Sequence, residues 1–207
     1  MKIIVRIKGG PGSGNHGHRG IPGSVGGSAP NYASIIDSAI AFKTAGKAKI
    51  YADSVLSQHM ESISEEQKRA MIMYSGVKFR DVNHALRHGS SGEERLVSTL
   101  DSIIQNDATS IKDPIIVYRG FPPNIVKGKA IGDTLTDNAF VSTTLSPSVA
   151  KKFGTVATII IKPGTRGMAM YRVSKYPEEM EILLNRGTKF TIIQTKPKLI
   201  LYAEASE

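Results

Sequence analysis

The sequence predicts an α+β protein in which helices come first and strands follow, and three observations carry that prediction. From residue 31 to about 108, apolar residues recur at three and four spacing, and two capping boxes, Ser64 to Gln67 and Ser91 to Glu94, announce helix starts. After Lys112 the chain turns to short β-rich runs separated by Gly, Pro, Asp and Asn. The βαβ rhythm of a doubly wound sheet is missing, as is any G-x-G-x-x-G after a strand, so a nucleotide would have to bind by another route.

The chain opens on residues 1–30, where Gly9 to Pro30 is mostly Gly, Pro and Ser. Such a stretch cannot bury enough apolar surface to fold and is read as a flexible linker. His16 and His18 lie inside it without the further ligands or the rigidity a metal needs. In the helical part, 31–110, Ser64 can cap a helix carrying Ala70, Met71 and Tyr74, and Leu96, Leu100, Ile103 and Ile104 form one stripe. His84 and His88 sit one turn apart, but no H-E-x-x-H motif or third ligand accompanies them, so they are read as surface or packing residues. The strand-rich part, 111–207, offers Ile115–Arg119, Ala139–Thr143, Thr155–Ile161, Met168–Arg172, Glu181–Leu184, Lys189–Gln194 and Leu199–Ala203.

Composition narrows the function classes. With 207 residues and 40% hydrophobic content the chain suits one globular domain with an appendage, and no apolar run approaches the roughly 20 residues of a membrane span. Zero cysteines exclude disulfides, thiolate nucleophiles and Cys-based zinc sites. The net charge of +9 divides as +4 over residues 1–30, −1 over 31–110 and +6 over 111–207. In the C-terminal half the basic residues are scattered singly among apolar strands with no base-stacking aromatics, which speaks against nucleic acid as the partner.

Three motifs carry chemistry. Val117-Tyr118-Arg119-Gly120 ends an apolar strand in an arginine, placed at a sheet margin, whose guanidinium can grip a pyrophosphate through parallel donors; Gly120 would let a flat ring approach the backbone. In Phe140-Val141-Ser142-Thr143-Thr144, alternation puts Ser142 and Thr144 on one face and Thr143 on the other. In Tyr176-Pro177-Glu178-Glu179-Met180-Glu181, an extended chain would project Glu179 and Glu181 to one side, where like charges repel unless they hold a cation. Each motif alone also fits a plain structural reading: a solvated strand-end arginine, β-branched filler and a solvated acidic turn.

Order and spacing join them. Ser142 follows Arg119 and Glu181 follows Ser142, each on its own strand, and this resembles the arginine, STS and E-x-E signature of the ADP-ribosyltransferases related to cholera toxin, clostridial binary toxins and mammalian ecto-enzymes. Tyr74-Ser75-Gly76 through Val82-Asn83-His84-Ala85-Leu86-Arg87 resembles the helix pair before the catalytic core of clostridial and vegetative insecticidal toxins, and Phe140 with Leu183-Leu184 through Gly187-Thr188-Lys189-Phe190 also matches, so coverage runs from about 60 to 203. The hydroxyl motif here reads Ser-Thr-Thr, which keeps the third hydroxyl.

The resemblance implies a catalytic domain over 31–207, with N-terminal helices and a β-sandwich-like core of two small sheets around an NAD cleft. It implies NAD as substrate, no metal, and a mono-ADP-ribosyltransferase. Glu181 would be the carboxylate that stabilises cationic character on the ribose, Ser142 its orienter, and Arg119 the holder of the phosphates. Gly120, Thr143 and Thr144 would line the cofactor site, with the loop from Ser146 to Lys152 closing over it. Glu179 implies an arginine acceptor, since a carboxylate can position a guanidinium and draw off its proton. Tyr176 would contact the target protein or pack its own loop. The glycine-rich segment resembles one in head-associated proteins of tailed bacteriophages, which implies a bacterial host protein as target and a location in host cytoplasm or virion. Two alternatives remain: an NAD glycohydrolase, with water as acceptor, and a noncatalytic phage-head accessory tethered to the capsid through residues 1–30.

Overall fold

A computed structural model of the chain describes residues 32–122 and 125–204; the glycine-rich segment with His16 and His18 lies outside the described residues. Helix α1 (Tyr32–Ser38) is followed by α2 (Ala45–Tyr51), which Thr44 caps by accepting from the Lys47 N–H at 3.3 Å. A π-helical stretch, Ala52–Leu56, prolongs α2, so that Ala48, Ala52 and Leu56 share one buried face. Helix α3 (Glu65–Met73) begins at the full capping box of Ser64 and Gln67. A second π-helical stretch, Tyr74–Lys78, runs it into α4 (Phe79–His88). The second expected capping box does not form. Helix α5 (Glu94–Ile104) starts after Ser91, because Gly92 sits at φ 120°, outside helical space, and its N–H is instead taken by the Glu94 carboxylate at 3.0 Å.

Eight strands then build one mixed sheet: β1 (Ile115–Phe121), β2 (Thr134–Thr136), β3 (Val141–Thr144), β4 (Thr155–Ile161), β5 (Gly167–Ala169), β6 (Glu181–Leu184), β7 (Lys189–Gln194) and β8 (Leu199–Glu204), in the order β2-β7-β8-β4-β1-β3-β6-β5. Strands β4 and β8 pair parallel, and the other pairs are antiparallel. The two small sheets expected from sequence are two wings of this sheet, joined through the single pair Tyr118↔Thr144. Where the wings diverge they fold toward each other. One apolar cluster gathers Ile115, Val117, Ala157, Ile159 and Leu201 from the long wing with Val141, Ala169, Ile182 and Leu184 from the short one, which is the sandwich core.

A second cluster covers the other face of the short wing. Met71, Tyr74, Val82, Leu100, Ile103 and Ile104 from α3 to α5 pack on Phe140, Met168 and Leu183. Strand alternation explains the division, since Ile182 and Leu184 point into one cluster and Leu183 into the other. The run expected over Met168–Arg172 is cut to Gly167–Ala169, because the chain turns back at Met170, whose carbonyl accepts from Val173 and Ser174. Two elements escaped the sequence: the polar three-residue β2, and helix α6 (Pro147–Lys151), which Pro147 opens from its first turn.

Candidate active site

The centre of the site is where the wings meet. Register sets Thr144 opposite Glu181 on β3 and β6, so Ser142 lies diagonally beside Glu181 on the same face. The Ser142 hydroxyl donates to the Glu181 carboxylate, and both side chains are buried. Burial, helped by the Glu179 charge, raises Glu181 to about 7 against the Ser142 hydrogen bond and the Arg119 charge, which pull it down. The carboxylate is thus held partly protonated at neutral pH, where a small change in its surroundings changes its charge.

Arg119 lies beside this pair, but in a different setting from the one expected. The sequence predicts a sheet margin; β1 instead runs between β4 and β3, continues through Gly120 to Phe121, and leaves the side chain 3% exposed. One terminal nitrogen of its guanidinium donates to the Ser142 backbone carbonyl at 2.7 Å, and the group lies 5.4 Å from the Phe121 ring centre. Its Nε has no hydrogen-bond partner among the described residues. Burial lowers the guanidinium to about 10, against the opposing pull of Asp137.

Glu179 reaches the same cleft by another route than strand alternation. Pro177–Glu179 is a 3-10 turn, and Met180 then takes the left-handed conformation at φ 46°, so 179 and 181 are not the like-facing residues of one extended chain. The turn is pinned at its base. Thr144 donates its hydroxyl to the Glu179 carbonyl at 2.6 Å, and the Leu145 N–H donates to the Met180 carbonyl at 3.3 Å. Burial, and after it the neighbouring Glu178, raises the Glu179 carboxyl above the ordinary carboxylate range. The Thr143 hydroxyl donates to the Ile182 carbonyl at 2.7 Å, so Thr143 borders the cleft with its side chain already engaged.

Arg119, Gly120, Ser142, Thr143, Thr144, Glu179 and Glu181 therefore line one narrow cleft, together with Tyr118 and the α6 segment. Gly120 also has a packing role that its sequence context does not announce. A Cβ there would stand 2.6 Å from the Ala150 carbonyl oxygen and 2.7 Å from Phe153 Cβ, so the glycine admits the α6 segment against β1. Reading the sequence did not single out Ala150, Phe153 or Asp137. Asp137 takes a two-bond bridge from Arg87 at 2.8 and 2.7 Å, tying the end of α4 to the chain just before β3. No local pattern announces such a pair, 50 residues apart. Tyr74 is also inside: it packs edge-on to Phe140 at 5.8 Å, exchanges hydrogen bonds with Asn83, and lies near enough to Glu181 for that charge to add to the burial that raises its phenol.

The two stacked rings of His84 and His88 are 4.2 Å apart, and no group of three potential metal ligands exists among the described residues. Among those residues no helix is long and apolar enough to cross a membrane.

Comparison with known proteins supplies a family and a likeness of fold. The sequence model of the ADP-ribosyltransferase exoenzyme family matches residues 48–205. The NAD(+)–arginine ADP-ribosyltransferase EFV of Enterococcus faecalis is 31% identical over 161 residues, covering 71% of this chain and 32% of that protein. Secreted exoenzyme S of Pseudomonas aeruginosa is 28% identical over 138 residues, covering 63% of this chain and 29% of that one. The chain thus spans less than a third of either relative's length. Among solved structures, C3stau2 from S. aureus with NAD superposes with a TM-score of 0.68 at 18% identity, covering 80% of this chain and 97% of that one, a likeness of fold. With three quarters of the chain under the family model and the buried serine, glutamate and arginine gathered in one cleft, the chain belongs to the ADP-ribosyltransferase exoenzyme family.

Proposed function

We propose that this chain transfers ADP-ribose from NAD to an arginine side chain of a protein, releasing nicotinamide. The observation that carries the reading is the buried Ser142–Glu181 hydrogen bond beside Arg119, with a second carboxylate, Glu179, in the same cleft. Family membership supports it, as does the similarity to EFV.

NAD supplies a glycosidic bond to a cationic nicotinamide, a leaving group that departs as a neutral base. The chemistry of the cleft lining suits the reacting end of such a ligand: the unpartnered Arg119 Nε is a donor left over, and Glu181 is an acceptor. The remainder of the dinucleotide would be received where the α6 segment now packs on Gly120.

Glu181, when ionised, sets a fixed negative charge inside a poorly hydrated site, where it stabilises developing positive charge far more than it would in water. Ser142 holds that carboxylate in one orientation. Arg119 fixes the Ser142 backbone and keeps a positive charge beside Glu181. Glu179, on its pinned turn, is the group that would take a guanidinium and its proton.

The test is incubation of the chain with labelled NAD and a bacterial lysate, followed by mass spectrometry of the modified proteins. Labelling on arginine, lost by at least 100-fold in Glu181→Gln with an unchanged circular dichroism spectrum, is the expected result. Nicotinamide release without labelled protein would make water the acceptor. No consumption of NAD would overturn the reading. The bacterial-host and phage setting rests on residues 9–30, which lie outside the described residues.

A further inference from the structure

Along the outer side of α3, the π-helical stretch and α4, three large apolar side chains stand in solvent: Ile72 at 41%, Met73 at 48% and Val77 at 68% relative exposure. The spacing Arg69, Met73, Val77, Arg80 keeps them on one helical face, with a cation at each end. Lys175 runs alongside, since a Cβ on Gly76 would meet its Cε at 3.7 Å. Tyr176, 42% exposed, follows it in the chain.

The acidic groups of these helices are already engaged. Glu65 pairs with Lys68 at 2.7 Å, Glu66 with Arg95 at 2.8 Å, and Asp81 and Glu93 with Lys78 at 3.4 and 2.8 Å. Arg69, Arg80 and Lys175 have no ion pair among the described residues; Arg80 does lie 5.6 Å from the Phe79 ring centre. The face is therefore apolar at its middle and net positive at its rim, a pattern common at protein interfaces and costly to leave bare.

Its position ties it to the cleft. The same helical turn that exposes Met73 and Val77 points Tyr74 inward, toward Phe140 and the charge of Glu181. Lys175 and Tyr176 lead directly into the Pro177–Glu179 turn.

We propose that this face seats the acceptor protein, through an apolar surface of the target framed by acidic side chains, and so aims the target's arginine at Glu179. This rests on the transferase reading above. Apolar contact would supply residence on the surface, and the Arg69, Arg80 and Lys175 charges would favour targets with an acidic border, with a rate that falls as salt rises.

The experiment compares two acceptors for the same enzyme: agmatine, which presents a guanidinium without a protein surface, and the lysate protein most strongly labelled by the wild type, once purified. In Met73→Asp/Val77→Asp, kcat/KM for the protein is expected to fall at least tenfold, while agmatine modification and the thermal midpoint stay within twofold and 2 °C of wild type. In Arg69→Glu/Arg80→Glu, the protein rate falls and loses its salt dependence, again with agmatine unaffected. Equal loss on both acceptors, or no loss on either, overturns the proposal, as does modification of agmatine without any protein labelled by the wild type. A wild-type dimer in ultracentrifugation that Met73→Asp/Val77→Asp dissociates would assign the face to a second copy and overturn it too. A wild type that consumes no NAD and modifies no agmatine fails at the transferase reading itself, a result distinct from all of these.

Discussion

Arg119 donates to the Ser142 carbonyl at 2.7 Å at the place where the two wings of the sheet share only the pair Tyr118↔Thr144. A side chain thus bridges strands whose ladder has given out, and it does so on the residue whose hydroxyl holds Glu181. Arg119→Lys keeps the charge and loses the planar fork, leaving an ammonium to reach the same carbonyl with different geometry. Losing a charge-assisted bond of this kind costs roughly 1.5–3 kcal/mol. At roughly 2–4 °C per kcal/mol, the thermal midpoint should fall by about 3–12 °C. The NAD-consumption rate should fall at least tenfold. Unchanged midpoint and rate together would show that the bridge carries neither role.

Glu181 makes both rate and stability depend on pH, in opposite senses. Its carboxyl is raised to about 7 from an ordinary 4.5, first by burial, so the ionised fraction in the folded enzyme rises as pH passes 7. Activity limited by that carboxylate should rise through this range and fall about tenfold per pH unit well below it. The folded state holds the proton longer than the unfolded chain. The associated stability is complete below about pH 4.5 and is lost as pH climbs through 7, by up to about 3 kcal/mol. Glu181→Gln cannot ionise and should melt higher than wild type at pH 8, with little difference at pH 4.5. Differential scanning calorimetry at the two pH values measures this directly, and equal midpoints at pH 8 would count against a raised Glu181.

Gly120 is tested by adding one methyl. In Gly120→Ala the new Cβ would sit 2.6 Å from the Ala150 carbonyl oxygen and 2.7 Å from the Phe153 backbone carbon and Cβ. Two of those three atoms are backbone, so the α6 segment must move as a unit. Overpacking of this kind typically costs about 1–3 kcal/mol. The expected outcome is a lowered midpoint with increased protease sensitivity at Lys151 or Lys152. A variant as stable and as resistant as wild type would mean that α6 yields freely.

How much of this the sequence disclosed depends on the range of the interaction. The order of helices before strands was legible because periodicity is local: Leu100, Ile103 and Ile104 fall in one cluster, and Ile182 and Leu184 in another across the strand from Leu183. Alternation also set Ser142 and Thr144 on one face, and both reach toward the chain of residues 179–181. The rule failed at Met180, where one left-handed residue breaks the strand between Glu179 and Glu181. Arg119 looked like a strand end because Gly120 follows it, yet the glycine serves the close packing of Ala150 and Phe153 and the strand continues. The Arg87–Asp137 bridge and the Tyr74–Phe140 contact depend on how α4 and α3 dock, which no window of neighbouring residues encodes.

His59 opposes Glu181 in the pH dependence of stability. Its ring is fully buried in the 3-10 turn Gln58–Glu61, neither nitrogen has a hydrogen-bond partner of good geometry among the described residues, and burial lowers its pKa from 6.5 to about 4, with Arg172 pushing the same way. The unfolded chain therefore takes up this proton at higher pH than the folded one. Stability from the neutral ring is complete above about pH 6.5 and is lost as pH falls toward 4, by up to about 3 kcal/mol. Between pH 4.5 and 6.5 the two groups act in opposite directions with similar size, so the wild type should show a nearly flat stability profile there. Removing one should unmask the other. In Glu181→Gln the midpoint should drop as pH falls from 6.5 to 4.5, whereas in His59→Leu it should rise over the same interval. Thermal melts of the three proteins at half-unit steps decide the matter: parallel profiles for the two variants would show that neither group is linked to folding in this range.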